Sequence, residues 1–235
     1  MPNQLLARQY AELHCKTNYS FLTGASHPGE SVSRADELGY QAIAVTDRNS
    51  LAGVVQAFME SRNRSIRLVV GAEITPVDAP PIVLWVTDRK SYGQLCRLIS
   101  LGRRRAPKGE CQIGIQDIAQ YSGGLLGGIQ LHRRLPADSN HSSFLMNREK
   151  LARHTRDALH GIESGSEEHK DFDFSLQLYR DIFGERCYLL AEPVHGVNDR
   201  EELSEISFLS QKARIPMVAA GDVHYHISDR KRSEE

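Results

Sequence analysis

Short apolar runs alternate with stretches of helical periodicity along most of the chain. The runs Tyr10–Cys15, Gln41–Asp47, Arg67–Thr75, Pro81–Thr87, Gly124–Leu131, Arg186–Glu192 and Ile215–Asp222 put Val, Ile and Leu at consecutive positions. Consecutive apolar residues, rather than alternating ones, mark strands buried on both faces. Helical patterns fill the intervals at Gly29–Leu38, Leu51–Ser61, Ser91–Leu101, Ile115–Tyr121, Phe174–Phe183 and Glu201–Ala213. Gly39 and Gly184 follow two of them where helix C-caps belong, and Asn198 or Asp199 can cap the start of the last. Seven βα-type units without a break predict one α/β domain, a closed or nearly closed parallel barrel. A doubly wound open sheet is the alternative that the same pattern allows.

Three stretches fall outside this rhythm. Arg103–Gly109 reads as a basic loop, Leu135–Ser143 as a polar connector, and Ser228–Glu235 as a charged tail with no apolar partner. The basic run Arg103–Arg105 with Lys108 could touch a phosphate backbone, but a solvated loop is the simpler expectation.

Composition narrows the class without naming a function. At 235 residues, with 40% hydrophobic and 25% charged residues, the chain can bury one large core. A formal net charge of -1 provides no global field to attract nucleic acid or an anionic membrane. The N-terminus has no apolar h-region, and no apolar run approaches the length of a membrane span, so a cytoplasmic protein is expected. Cys15, Cys96, Cys111 and Cys187 form no CxxC pair and fit a reducing compartment, each as a small buried hydrophobe. No GxxxxGK[ST] or GxGxxG loop occurs, and Ser20 and Ser26 lack a recognisable Ser-His-Asp arrangement.

The chemistry lies where the predicted strands end. In a β/α barrel, functional side chains collect at the C-terminal ends of the strands. Those ends read Glu12-Leu13-His14-Cys15-Lys16, Thr46-Asp47-Arg48-Asn49, Gly71-Ala72-Glu73, Leu131-His132, Val194-His195-Gly196 and Gly221-Asp222-Val223-His224. A single strand-end histidine is ordinary. His, Asp or Glu at successive ends points to a metal pocket, with His14, Glu73, His195, Asp222 and His224 as its candidate ligands.

The same residues carry a family resemblance. His14-Cys15-Lys16, Thr46-Asp47-Arg48, Gly71-Ala72-Glu73 and Gly221-Asp222-Val223-His224 resemble, in order and spacing, the four motifs of the PHP (polymerase and histidinol phosphatase) superfamily. Tyr10–Cys15, Asn18–Leu22, Gly24–Ser26, Leu51–Val55, Ser91–Ser100 and Pro216–Tyr225 are similar to one branch of it. That branch is the N-terminal PHP domain of bacterial C-family DNA polymerases, of the error-prone, DNA polymerase III alpha-like type. The resemblance runs from about Tyr10 to His226 and implies a distorted seven-stranded, TIM-like β/α barrel. It makes residues 1–235 one PHP domain, with its core at about 10–226 and a charged tail at 228–235.

Departures from the pattern shape the functional expectation. The resemblance implies a second ligand histidine where this chain has Lys16, another where it has Arg48, and a first-loop aspartate where it has Thr23. An ammonium or guanidinium offers a metal no lone pair. Lys16 and Arg48 are therefore expected to occupy the space of former metal charge, balancing Asp47, Glu73 and Asp222. The remaining residues could hold one or two zinc or manganese ions at most, or none. The motifs end shortly before Glu235, so the palm, thumb and fingers that carry nucleotidyl transfer are expected to lie outside this chain, whether it is a fragment or a short gene product. The expected function is that of a structural or docking module in lesion-tolerant DNA synthesis. Its partners would be the rest of a C-family polymerase or its replication and mutagenesis factors, with DNA met only indirectly. A free-standing metal-dependent phosphoesterase is the rival reading.

Overall fold

The computed structural model describes residues 10–131, 167–193 and 199–233. Seven strands form one sheet in sequential order: β1 (Ala11–Cys15), β2 (Ala42–Val45), β3 (Arg67–Ile74), β4 (Ile82–Val86), β5 (Leu125–Gln130), β6 (Cys187–Ala191) and β7 (Met217–Ala219). Among the described residues six α-helices accompany them: α1 (Pro28–Glu37), α2 (Val54–Ser61), α3 (Arg89–Arg105), α4 (Ile115–Tyr121), α5 (Glu167–Phe183) and α6 (Asp199–Ala213). None of them is long and apolar enough to cross a membrane.

The sheet curls until its two edges meet. Cys15, at the end of β1, bridges Val223 just past β7. Lys16 N–H donates to Val223 O at 2.8 Å, and Val223 N–H donates to His14 O at 2.9 Å. Buried Glu12 adds a side-chain tie, accepting from the backbone N–H groups of His14 and Gly221, each at 2.9 Å. The result is a distorted, nearly closed β/α barrel of the TIM-like kind.

One expectation fails in a specific way. The sheet is mixed, because β4 runs antiparallel to both β3 and β5, while the other neighbours pair in parallel. Parallel pairing needs a crossover of a dozen or more residues. Residues 75–81, which include Pro76, Pro80 and Pro81, are too few to build one, so the chain turns straight back.

Two layers of packing follow from strands that are apolar on both faces. Ala44, Val83, Trp85 and Leu190 fill the barrel interior together with half-buried Leu13, Val69, Leu126 and Val218, so every strand contributes. Trp85 is 4% exposed, and its indole N–H crosses the interior to Leu13 O at 2.8 Å. Outside the barrel, Ile74, Ile82, Leu84, Leu125 and Leu189 pack under Leu95, Leu98, Ile118, Leu176 and Tyr179 of α3, α4 and α5. A separate cluster joins Val45 and Ile43 to Val32, Ala35 and Ala57 of α1 and α2.

Two of the irregular stretches are ordered. Arg103–Arg105 form the last turn of α3 rather than a loop, where positive charge complements the helix C-terminus. Ser228–Ser233 of the expected tail form a 3-10 helix, and Arg230 is bonded to Glu30 at 2.8 Å. Leu135–Ser143 lies outside the described residues. All four cysteines are free, with Cys15 and Cys187 buried, and burial pushes the Cys15 thiol up to about 12.

Candidate metal centre

Closure of the barrel brings the ends of β1, β2, β3, β6 and β7 around one point. His14 and Lys16 come from the end of β1, Arg48 from just beyond β2, and Glu73 from β3. Glu192 follows β6 directly, and Asp222 and His224 follow β7. Asp222 takes a left-handed backbone conformation, φ 45°, which Asp tolerates better than most residues.

Both nitrogens of the fully buried His14 face carboxylates. Nδ1 lies 2.6 Å from Glu192 Oε1, and Nε2 lies 3.2 Å from Glu73 Oε2. Two acceptor-only partners require a ring that donates from both sides, which is the imidazolium. Burial alone would lower the His14 pKa, but hydrogen bonds to Glu192 and Glu73 prevail and raise it to about 9.

The Lys16 side chain turns inward and is 3% exposed. Its ammonium contacts Asp222 Oδ1 and sits 2.8 Å from Glu73 Oε2. Burial opposes its charge, and the charges of Glu73 and Asp222 raise its pKa nevertheless. Arg48 covers the remaining Glu73 oxygen, with Nε 2.8 Å from Oε1. His224 Nε2 approaches Asp222 Oδ1 at 3.2 Å. Burial by itself would raise the Glu73 and Asp222 carboxyls, but these cationic neighbours hold both well below their ordinary values. Lys16, Arg48 and protonated His14 thus meet Glu73, Glu192 and Asp222, three charges of each sign.

Asp47 departs from the expectation that it would share this balance. Its carboxylate is 1% exposed and is held by neutral donors: Thr17 N–H at 2.7 Å, Thr17 Oγ1 at 2.8 Å and Ser20 Oγ at 2.7 Å. It anchors the β1–α1 loop, and its hydrogen bonds need no cation. Thr23 lies farther along that loop, its N–H bonded to Ser20 O, and among the described residues its side chain has no hydrogen bond to the cluster. His195 and His132 lie outside the described residues.

Two participants escaped the sequence reading. Glu192 is the residue immediately after β6, and its position at the end of an apolar run was the available signal. Gln130, the last residue of β5, places Nε2 3.4 Å from His14 Nδ1. A third arrangement could mislead. Ser26 Oγ lies 2.8 Å from His226 Nδ1, and Glu30 approaches that same nitrogen at 3.8 Å. A nucleophilic triad needs its acid on the other ring nitrogen and an accessible hydroxyl. Ser26 is fully buried and also accepts the His226 N–H, so the contact fastens the β1–α1 loop to the segment after β7.

The donors His14, Glu192 and Asp222 lie close enough together to hold one metal ion. For that, His14 Nδ1 must give up its proton and the Lys16 ammonium must leave Asp222. A site for two or more ions does not fit this arrangement, because the ammonium of Lys16 and the guanidinium of Arg48 already occupy the Glu73 oxygens.

The charges predict a pH optimum of stability. His14 titrates at about 9 when folded against an ordinary 6.5, so its contribution is complete below pH 6.5 and is lost as pH rises through 9. Glu73 and Asp222 titrate below their ordinary 4.5 and 3.8, so their contributions are present above those values and are lost on further acidification. Urea midpoints should be highest between about pH 5 and 6.5 and fall on both sides. A midpoint that climbs steadily from about pH 6.5 to 9 would contradict the protonated His14.

Comparison with known proteins agrees with the barrel fold. The PHP domain family model matches residues 12–189. An error-prone DNA polymerase from Rhodopirellula baltica is 41% identical over 224 residues, covering 95% of this chain and 18% of that protein. The error-prone DNA polymerase of Pseudomonas aeruginosa is 35% identical over 226 residues, covering 96% of this chain and 18% of its own length. The chain therefore spans about a fifth of these curated relatives. Among solved structures, an amidohydrolase from Chromobacterium violaceum with bound sulfate superposes with a TM-score of 0.52 at 14% identity, covering 92% of this chain and 88% of that one. At that identity the likeness concerns the fold.

Proposed function

The chain belongs to the PHP domain family, and we propose that it serves an error-prone DNA polymerase as a structural or docking module whose former metal centre is held together by its own cations. The observation that carries this reading is the placement of the Lys16 ammonium on both Glu73 and Asp222, with Arg48 on the other Glu73 oxygen. A hydrolytic PHP centre would use bound metal to activate water and to stabilise a leaving oxygen. Here those carboxylates are already neutralised by protonated side chains that have no lone pair to offer a metal. The length of the relatives supports a polymerase context, in which the rest of a C-family polymerase is the principal partner.

The rival reading, a metal-dependent phosphoesterase, draws on the three-donor set His14, Glu192 and Asp222. Elemental analysis of the purified chain, paired with hydrolysis of a nitrophenyl phosphodiester in added Mn²⁺ or Zn²⁺, separates the two. The structural reading expects well under about one metal per chain and no turnover, since zinc sites need three or four free ligands. Stoichiometric metal, with turnover abolished by His224→Ala, would establish the phosphoesterase instead.

A further inference from the structure

Away from the barrel mouth, α3 carries its positive charge in two different ways. Arg103 is tied down, donating to Asn49 O at 3.0 Å and to Gly109 O at 3.0 Å. Arg105 pairs with Asp117 at 2.7 Å. Arg97 and Arg104 are exposed, and among the described residues neither has a hydrogen-bond or ion-pair partner. Both line a cavity of about 300 Å³ between α3 and α4, together with Cys96, Ser100, Leu101 and Tyr121. None of these lining residues is a carboxylate.

The spacing makes this one stripe. Residues 97, 100/101 and 104 recur at three and four positions and share a helix face. Arg97 and Arg104 sit about 10.5 Å apart along the axis, seven residues at about 1.5 Å each. Tyr121 of α4 closes the same cavity, so one aromatic ring stands beside the two guanidiniums. The helix C-terminus accounts for positive charge at Arg104. It does not account for Arg97, two turns earlier and beyond the reach of the terminal dipole.

We infer that this stripe is a site for the phosphodiester backbone of a single-stranded nucleic acid. Two guanidiniums in a row, without a partner among the described residues, suit successive phosphates better than one small anion, since guanidinium hydrogen bonds match phosphate oxygens. Half-buried Tyr121, lining the same cavity, supplies a ring against which a base can stack irrespective of sequence. The inference does not depend on the state of the barrel-mouth cluster.

Fluorescence anisotropy of a labelled oligothymidylate of about 20 nucleotides, titrated with the full chain at several salt concentrations, tests it. Arg97→Ala/Arg104→Ala should weaken binding at least about tenfold and flatten the log K against log salt slope by about 1.4, at about 0.7 per lost single-strand phosphate contact. Arg97→Lys/Arg104→Lys should retain part of the affinity, and the charge-matched Arg34→Ala/Arg62→Ala should retain all of it. Unchanged thermal midpoints in each variant confirm that the fold is intact. Equal loss in the Arg34/Arg62 pair, or equal binding by the Arg97/Arg104 pair and the wild type, would overturn the site. So would inorganic phosphate binding without oligonucleotide binding, which would identify a free anion as the ligand.

Discussion

Lys16→Met is expected to cost about 3 kcal/mol of folding stability, because it leaves buried Glu73 and Asp222 short of one counter-charge. Met preserves the length of the stem, so packing changes little and the loss reports the ammonium. Breaking a buried ion pair by removing one partner usually costs about 3–5 kcal/mol. The lower end applies because Glu73 keeps His14 and Arg48, and Asp222 is 23% exposed. For a domain of this size that loss corresponds to a drop of about 6–12 °C in thermal midpoint. Adding Glu73→Gln should restore part of it by removing the stranded charge. A Lys16→Met variant as stable as the wild type would show that the ammonium does not hold the centre together.

Restoring lone pairs at the two cationic positions should produce the opposite outcome. Lys16→His/Arg48→His removes both charges that sit on the carboxylates and offers two imidazoles beside Glu73, Glu192 and Asp222. This variant should take up at least about one Zn²⁺ or Mn²⁺ per chain, because tetrahedral zinc needs only three or four such ligands. At a free metal concentration about a hundredfold above its dissociation constant, binding adds about 2.7 kcal/mol of stability. The thermal midpoint of the variant should therefore rise by about 5–10 °C with added metal while that of the wild type stays put. A folded double variant that remains metal-free would mean that something other than these two cations excludes the ion.

Much of the fold was legible because its cause is local. The seven apolar runs became the seven strands: β2 and β4 are apolar at every position because both their faces are buried, whereas β7 is short and largely exposed at Met217 and Ala219. The reversal of β4 was legible in part: no helical pattern separates Thr75 from Pro81, but run composition says nothing about strand direction. The arginines at 103–105 were misplaced because Pro107 and Gly109 suggested a loop, whereas Arg103 and Arg105 are held by contacts to Asn49 O and to Asp117.

The candidate centre divides along the same line. The sequence by itself determined the barrel class, the family and the identities of His14, Lys16, Arg48, Glu73, Asp222 and His224, because strand ends and motif spacing are properties of neighbouring residues. Only the tertiary structure decided how those groups are shared. It set Lys16 against both Glu73 and Asp222, gave Asp47 to Thr17 and Ser20, and brought in Glu192 from β6. Those allocations depend on distances between residues far apart in the chain, such as 16 and 222 or 14 and 192. Such distances arise only when the barrel closes.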